Sequence, residues 1–464
     1  MGATTSISTI TTGQAGEARS GMVFFFLAAY LFLIFLRPFD YIPALKVLHL
    51  PLLMAGLCLF AYFLNRLGKG EPLIPRTPAM NMFIVLSIWM LVTIPFAFWG
   101  SNSLHAYWND WLKNLALFLM LGNVMVLARQ VRRAIWLCIL GATAVSAIAL
   151  ALDVLSGQSV AKGRLIAEAS GIYAGPNYFS MTLILLMPFA IMFFFLDKRL
   201  PVRLFAGGVF AIFTVTNMFT ESRAGVLGES MVVMLALWKL RDWGFSMAKS
   251  LSVIFLGLVL FAPLAPKGLW DRFSTLYENY NRADLSITSQ TYSAIGSLDE
   301  REDLLKKAVI LTAENPIFGV GMSNFGSASH NRWNTGSSRD WLGCHNTYLE
   351  YSAELGVPGL LLYLALLYAA WKTFRITRRR LLEEKVQDLP ERRDLRILND
   401  AGSISFWGYV LFGCVAHLGY NAYFFFVAGI GEALYHISAR LVNSVPDTPE
   451  DNPETEPALA SLVR

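Results

Sequence analysis

Apolar runs close to the ~20 residues that a helix needs to cross a bilayer recur along this chain. They fall at 21–38, 44–64, 79–99, 111–128, 132–153, 176–196, 202–219, 224–240, 248–265, 358–374, 404–420 and 422–440. In hydrocarbon such a run has one stable form, a helix whose backbone polar groups satisfy one another. The expected fold is an all-α polytopic membrane protein with about twelve transmembrane helices, their ends marked by charge, Gly or Pro. Composition agrees, since 55% of the 464 residues are hydrophobic and only 15% are charged.

Cytoplasmic loops retain Lys and Arg, so the basic residues orient the chain. With the N-terminus inside, the inner loops hold Arg66, Lys69 and Arg76; Arg129, Arg132 and Arg133; Lys198, Arg199 and Arg203; Lys239, Arg241 and Lys249; and the run from Lys372 to Arg396. This gives a cytoplasmic segment 1–20, helices one to nine over 21–265, one long, partly helical outer segment at 266–357, helices ten to twelve over 358–441, and a disordered cytoplasmic tail at 442–464. The net charge of +5 is largely this topogenic signal, so it does not indicate nucleic-acid binding.

The first apolar run follows a Ser/Thr-rich start without a small-residue cleavage pattern, and is read as a retained helix. Three of the four cysteines, Cys58, Cys138 and Cys414, fall in expected spans; Cys344 alone faces outward, so no disulfide pair suggests itself. No His/Cys/Asp cluster has metal-ligand spacing, and the expectation is no metal and no other cofactor. The acidic run "DERED" at 299–303 imitates a metal motif, but helix capping explains it more cheaply.

Charge is costly in a bilayer, and charges here gather at span ends and in the outer segment. Arg223, in the tight connection "TESRAGVLGES" at 220–230, has two readings: a helix-end arginine reaching for the interface, or an anion ligand. In 297–325, Ser297 with Glu300 resembles a capping box and Asn315-Pro316 a stop, predicting a helix of about four turns. Arg301 opposes that helix's dipole and shares the face of Leu304, Leu305 and Ala308. It needs an anion, either a carboxylate in a salt bridge or a substrate phosphate.

The stretch "CHNTYLEYSAELGVPG" at 344–359 predicts a short surface helix over 345–355, with a new span starting at Pro358. His345 stands at its start, beside Asn346, with Tyr348 on one side. A neutral imidazole there suits proton acceptance near neutral pH; the other histidines, His417 among them, have no comparable context.

His345-Asn346, nine residues, then Gly356-x-x-Gly359 resembles the pattern of bacterial O-antigen ligases. "NPIFGVGMSNF", "ESRAG" and "AGPNYFS" at 174–180 resemble other signatures of the O-antigen ligase and polymerase superfamily. The similarity runs from "LRPFD" at 36–40 to about residue 440. It implies glycosyl transfer on the periplasmic face of the bacterial inner membrane, from an undecaprenyl-diphosphate-linked glycan donor to a lipid A-core acceptor, among membrane lipids. The family's histidine maps onto His345 and its functional arginines onto Arg223 and Arg301. Arg37 with Asp40, Lys162, Arg164 and Asn177 lie at expected outer ends, where they either line the donor site or anchor the interface.

Within the superfamily, a polymerase or a protein O-oligosaccharyltransferase would use the same donor. A lipid or solute transporter is the rival from another class, and it predicts charges inside spans and broken helices at the midplane.

Overall fold

The computed structural model describes residues 21–445 except 157–163, 168, most of 247–264, 275–288 and 334–340, with the backbone alone over 289–299. The described residues form helices, and no strand occurs among them. In chain order the principal helices are α1 Gly21–Leu36, α2 Leu50–Gly68, α3 Pro78–Thr93, α4 Gly100–Ala106, α5 Leu112–Val124, α6 Ala128–Ser156, α7 Pro176–Leu196, α8 Leu200–Phe219 and α9 Arg223–Leu240. There follow α10 Lys267–Ser274, α11 Ser289–Glu314, α12 Phe325–Trp333, α13 Thr347–Arg380, α14 Pro390–Phe412 and α15 Ala422–Asn443.

Seven helical segments among the described residues are long and apolar enough to cross a membrane: Pro43–Gly68, Pro78–Phe96, Ala128–Leu155, Pro176–Leu196, Leu200–Phe219, Thr347–Arg380 and Ala422–Asn443. The other expected spans take different forms. Residues 21–38 give the shorter apolar helix α1, and 111–128 give α5, of 13 residues. The run 224–240 gives α9, whose 18 residues include Arg223, Glu229 and Lys239, and 248–265 lies mainly outside the described residues. The expected span 404–420 stops at Phe412, because 413–421 leave the helix and fold back into the bundle.

Helix α7 is the centre, with every residue from Phe179 to Phe193 buried. Its start follows from local chemistry: Gly175 takes φ 113, which a side chain resists, and Pro176 then begins the helix without forfeiting a hydrogen bond. Around α7 pack α8, α9, α14 and α6. Small residues let backbones approach: a Cβ on Gly429 of α15 would press on Leu121 of α5, and one on Gly225 of α9 would strike Asn217 and Ser180.

Charges are not confined to span ends. Glu229 is buried in α9 and accepts hydrogen bonds from Thr214 Oγ1 at 2.5 Å and Asn217 Nδ2 at 2.6 Å, while Glu432 is buried in α15. Both are single carboxylates in otherwise apolar windows, easily overlooked beside the basic loops. The basic residues of the expected inner loops converge at one end of the bundle. Arg132 of α6 pairs with Asp197 and Asp394, Lys239 with Asp400 at 3.4 Å, and Arg378 with Asp242 at 2.6 Å.

The segment 300–355 has a core of its own, built from Leu304, Ala308, Leu311, Val320, Phe325, Ala328, Cys344 and Ala353. Helix α11 begins at Ser289, so Ser297 is interior to it and not its cap; the stop before Asn315-Pro316 holds. Cys344 is buried in this core, whereas Cys414, just past α14, is exposed.

Candidate active site

Asn346 caps α13, its Oδ1 accepting the N–H groups of Tyr348 and Leu349, both at 3.0 Å. The first turns of α13 then run only to Leu355, because Gly356 adopts φ 72 and ψ 179. The break leaves carbonyls without helical partners. Val320 N–H reaches Ala353 O at 2.9 Å, Gly321 N–H reaches Glu354 O at 2.8 Å, and Trp89 Nε1 reaches Leu355 O at 2.9 Å. Thus the short helix 347–355 and the longer helix from Val357 are separate pieces, as Gly356 and Pro358 predict. The buried Glu354 carboxylate draws the 319–325 loop onto the short helix, accepting Ser323 N–H at 2.7 Å and Phe325 N–H at 3.0 Å.

The same short helix clamps the segment 413–421. Thr347 N–H donates to Gly413 O at 2.8 Å, Thr347 Oγ1 to Ala416 O at 2.7 Å, and Asn346 Nδ2 to Cys414 O at 3.0 Å. Gly419 N–H donates to Glu350 Oε2 at 3.2 Å. The clamp sets His417 against His345, edge to face with ring centroids 5.0 Å apart. Tyr178 OH hydrogen-bonds His417 Nε2 at 2.7 Å. His345 itself takes φ 53, turning the chain just before the cap. Its burial first, and the fields of His417 and Arg301 after it, pull its pKa down to about 4, so the ring is neutral at neutral pH.

Beside this pair stand four arginines from distant parts of the chain. Arg223 begins α9, where Ser222 Oγ caps the helix by accepting Gly225 N–H at 3.0 Å. Arg272 lies in α10, its carbonyl 3.2 Å from Arg223 Nη1. Arg164 donates to Thr220 O at 2.9 Å and to Asn177 Oδ1 at 3.4 Å, and Asn177 Oδ1 also accepts Ser222 Oγ at 2.8 Å. Arg301, on the face of α11 that carries buried Leu304 and Ala308, feels the opposite charge of Glu300 and the like charge of Arg272.

These charges act on one another. Burial lowers the pKa of Arg164 to about 10, and the like charges of Arg272, Arg301 and Arg223 add to that against the opposing pull of Glu221. Burial, then Arg272, lowers that of Arg301. A half-buried nest of guanidinium groups thus lies beside a neutral imidazole, with Glu221 and Glu300 setting their charge against it.

Of the residues singled out in the sequence, Arg164, Asn177, Arg223, Arg301, His345 and Asn346 come together here. Arg37 does not join them: it pairs with Asp40 at 2.6 Å, reaches Ser170 Oγ at 2.5 Å and lies over the Phe39 ring. Tyr348 OH turns into the bundle to donate to Val410 O at 2.7 Å. Lys162 lies outside the described residues. Sequence reasoning passed over Arg272 and His417. The polar string His417, Gly419, Tyr420, Asn421 at the end of an expected span was the signal for the second, since it interrupts the hydrophobic pattern in the segment that follows the helix end at Phe412.

Residues 208–364 match the family model described as O-antigen ligase. The match takes in Arg223, Arg272, Arg301 and His345, and leaves Arg164, Asn177 and His417 outside. No curated protein matches the chain. The chain is therefore helical, with seven segments fit to cross a membrane and a segment, 208–364, that is similar to the O-antigen ligase family.

Proposed function

We propose that this protein transfers O-antigen or a related glycan from undecaprenyl diphosphate to a sugar hydroxyl of lipid A-core, on the periplasmic face of the inner membrane, without a metal. The observation that carries the reading is the convergence of half-buried Arg301 with Arg164, Arg223 and Arg272, next to a neutral His345. The Glu300 charge offsets part of this field, and the surplus of guanidinium groups over it favours a phosphate.

In the proposed step the acceptor hydroxyl oxygen forms a bond to the anomeric carbon as its proton passes to His345. The bond from that carbon to the diphosphate oxygen breaks, and undecaprenyl diphosphate leaves with the electron pair. Arg223 and Arg301 pair with phosphate oxygens and stabilise the charge as it grows, which is where catalytic benefit is greatest. Arg164 and Arg272 supply further positive field, and Asn177 holds Arg164. Direct backside attack inverts the anomeric centre, which NMR of the product tests.

The histidine-glycine spacing favours the ligase over a polymerase or a protein O-oligosaccharyltransferase. The test is complementation in cells deleted for the gene. Wild type, and not His345→Ala at equal expression, should restore polysaccharide-capped lipopolysaccharide on a gel. Restoration by both would remove His345 from the mechanism, and a change in lipid-linked glycan length without capping would move the assignment to a polymerase.

A further inference from the structure

A cavity of about 940 Å³ opens at the far end of the bundle from His345. Helix α15 measures the separation. It starts at Ala422 beside the His417 segment, and its His436 and Arg440 line the cavity four to five turns later, ~20 Å along the axis.

The lining is strongly cationic. Among the described residues of the lining, Arg66, Lys69, Arg129, Arg133 and Arg440 face a single carboxylate, Glu71, with His436 beside them. That carboxylate is already taken by Arg66, at 2.9 Å. His436 lies 3.3 Å from buried Glu432 on its own helix, and Arg440 Nη2 holds Val126 O at 3.1 Å. The side chains of Lys69, Arg129 and Arg133 make no hydrogen bond or ion pair with any described residue.

Arg129 and Arg133 are the telling pair. They sit one turn apart on one face in the first turns of α6, where like charges repel and where the positive helix terminus disfavours cations. Arg132, between them in sequence, is turned the other way and neutralised by Asp197 and Asp394. Both side chains are exposed, and both line the same hollow. Its wall is rigid, since Gln130 Oε1 accepts the N–H groups of Val126 at 2.8 Å and Leu127 at 3.1 Å and fixes the turn between α5 and α6. Beside it, Met22, Phe25, Leu64 and Leu67 of α1 and α2 present exposed apolar side chains, a surface for acyl chains.

We infer that this cavity binds a phosphate-bearing anion through Lys69, Arg129 and Arg133, and that the phosphate is the headgroup of an acidic lipid. Basic pockets between helices at a membrane face suit such headgroups, and the site is independent of the glycosyl-transfer reading.

The test is thermal unfolding of the full chain purified in detergent, titrated with dioctanoyl phosphatidylglycerol, dioctanoyl phosphatidylcholine, or inorganic phosphate against sodium chloride of matched ionic strength. Wild type should be stabilised by phosphatidylglycerol and not by phosphatidylcholine. In Arg129→Gln/Arg133→Gln the apparent affinity should fall at least about ten-fold, the worth of one charge-assisted hydrogen bond, with the midpoint in phosphatidylcholine unchanged. Arg375→Gln/Arg379→Gln removes an exposed arginine pair of the same spacing outside the cavity and should leave the response intact. If the first double variant does not fold, Lys69→Gln supplies the same comparison at one charge. Stabilisation by inorganic phosphate equal to that by phosphatidylglycerol would support the anion site and assign it to a soluble phosphate. An equal loss in the Arg375/Arg379 control, or a full response in the Arg129/Arg133 variant, overturns the site.

Discussion

His345 and His417 stand edge to face, their ring planes 72° apart, although one precedes α13 and the other follows α14. The short helix 347–355 imposes this meeting, since it begins at the cap beside His345 and binds the backbone that carries His417. Burial, then the fields of His417 and Arg301, favour the neutral form of His345, and burial lowers the pKa of His417 as well.

The pH dependence follows with a definite sign. The folded pKa of His345, about 4, lies below the ordinary 6.5, so the neutral base is present above that range and is lost only on acidification. Plotted as kcat/KM, which reports the free enzyme, transfer should stay level from pH 8 to near 5 and then fall. The same shift makes His345 a stabilising contribution that is complete above 6.5 and declines as the pH drops toward 4. An acid limb centred at 6.5 or above would contradict this environment.

His417→Ala admits water beside His345 and removes the first of the two fields that add to burial in lowering its pKa. The acid limb should move upward toward the ordinary value, while the alkaline plateau falls less than in His345→Ala. A pH profile of the two variants separates these outcomes; an unmoved limb would make His417 merely structural.

Arg301→Lys and Arg223→Lys keep the charge but lose the planar fork that grips two phosphate oxygens. Each should lower transfer by about 10²-fold in assays with purified chain and lipid-diphosphate donor, as for the loss of one stabilising donor at developing charge. Thermal stability should change little for Arg301→Lys, which keeps its charge among the other arginines. Retention of full activity in both would remove the diphosphate clamp.

Glu354→Ala leaves the N–H group of buried Phe325 without an acceptor, at about 1–3 kcal/mol, and releases the N–H of exposed Ser323. The unfolding midpoint should fall and transfer should fall with it, because the 319–325 loop rests on the short helix that orients His345. Glu354→Gln retains one carbonyl acceptor and should lie between the two. Denaturation and activity measured on the same preparations check the coupling.

Gly356→Ala places a Cβ against the carbonyl oxygen of Ile317 at a residue with φ 72. Strain of about 1–3 kcal/mol, added to the collision, should destabilise the joint between the surface helix and its long continuation. Loss of folded protein on size exclusion, or a sharply lowered midpoint, is the expected outcome; Gly359, with ordinary helical φ, should be less sensitive at the backbone.

Much of this was legible in one dimension. The surface helix, its break at Gly356 and the inward face of Arg301 follow from Asn346, Gly356-Val357-Pro358 and the Leu304/Ala308 spacing, because caps, left-handed glycines and helical periodicity are local effects. Misreadings arose where a local rule lacked its context. Ser297 with Glu300 has the form of a cap, yet the chain is already helical from Ser289. The run 404–420 is apolar enough for a helix throughout, yet 413–421 find better partners on α13 than on themselves. Which arginines pair with carboxylates was equally hidden: Arg37 meets Asp40 in an ion pair, while Arg301 sits among other arginines.

Hydropathy and charge order by themselves determined a helical membrane chain with its basic loops at one end, because hydrocarbon permits only internally bonded backbone and charge seeks water. Only the tertiary structure decided that Arg164, Arg223, Arg272 and Arg301 share one nest with His345 and His417, and that Arg129 and Arg133 line a hollow at the opposite end. Those juxtapositions depend on how helices pack side by side, and packing joins residues whose separation in sequence carries no record of their nearness.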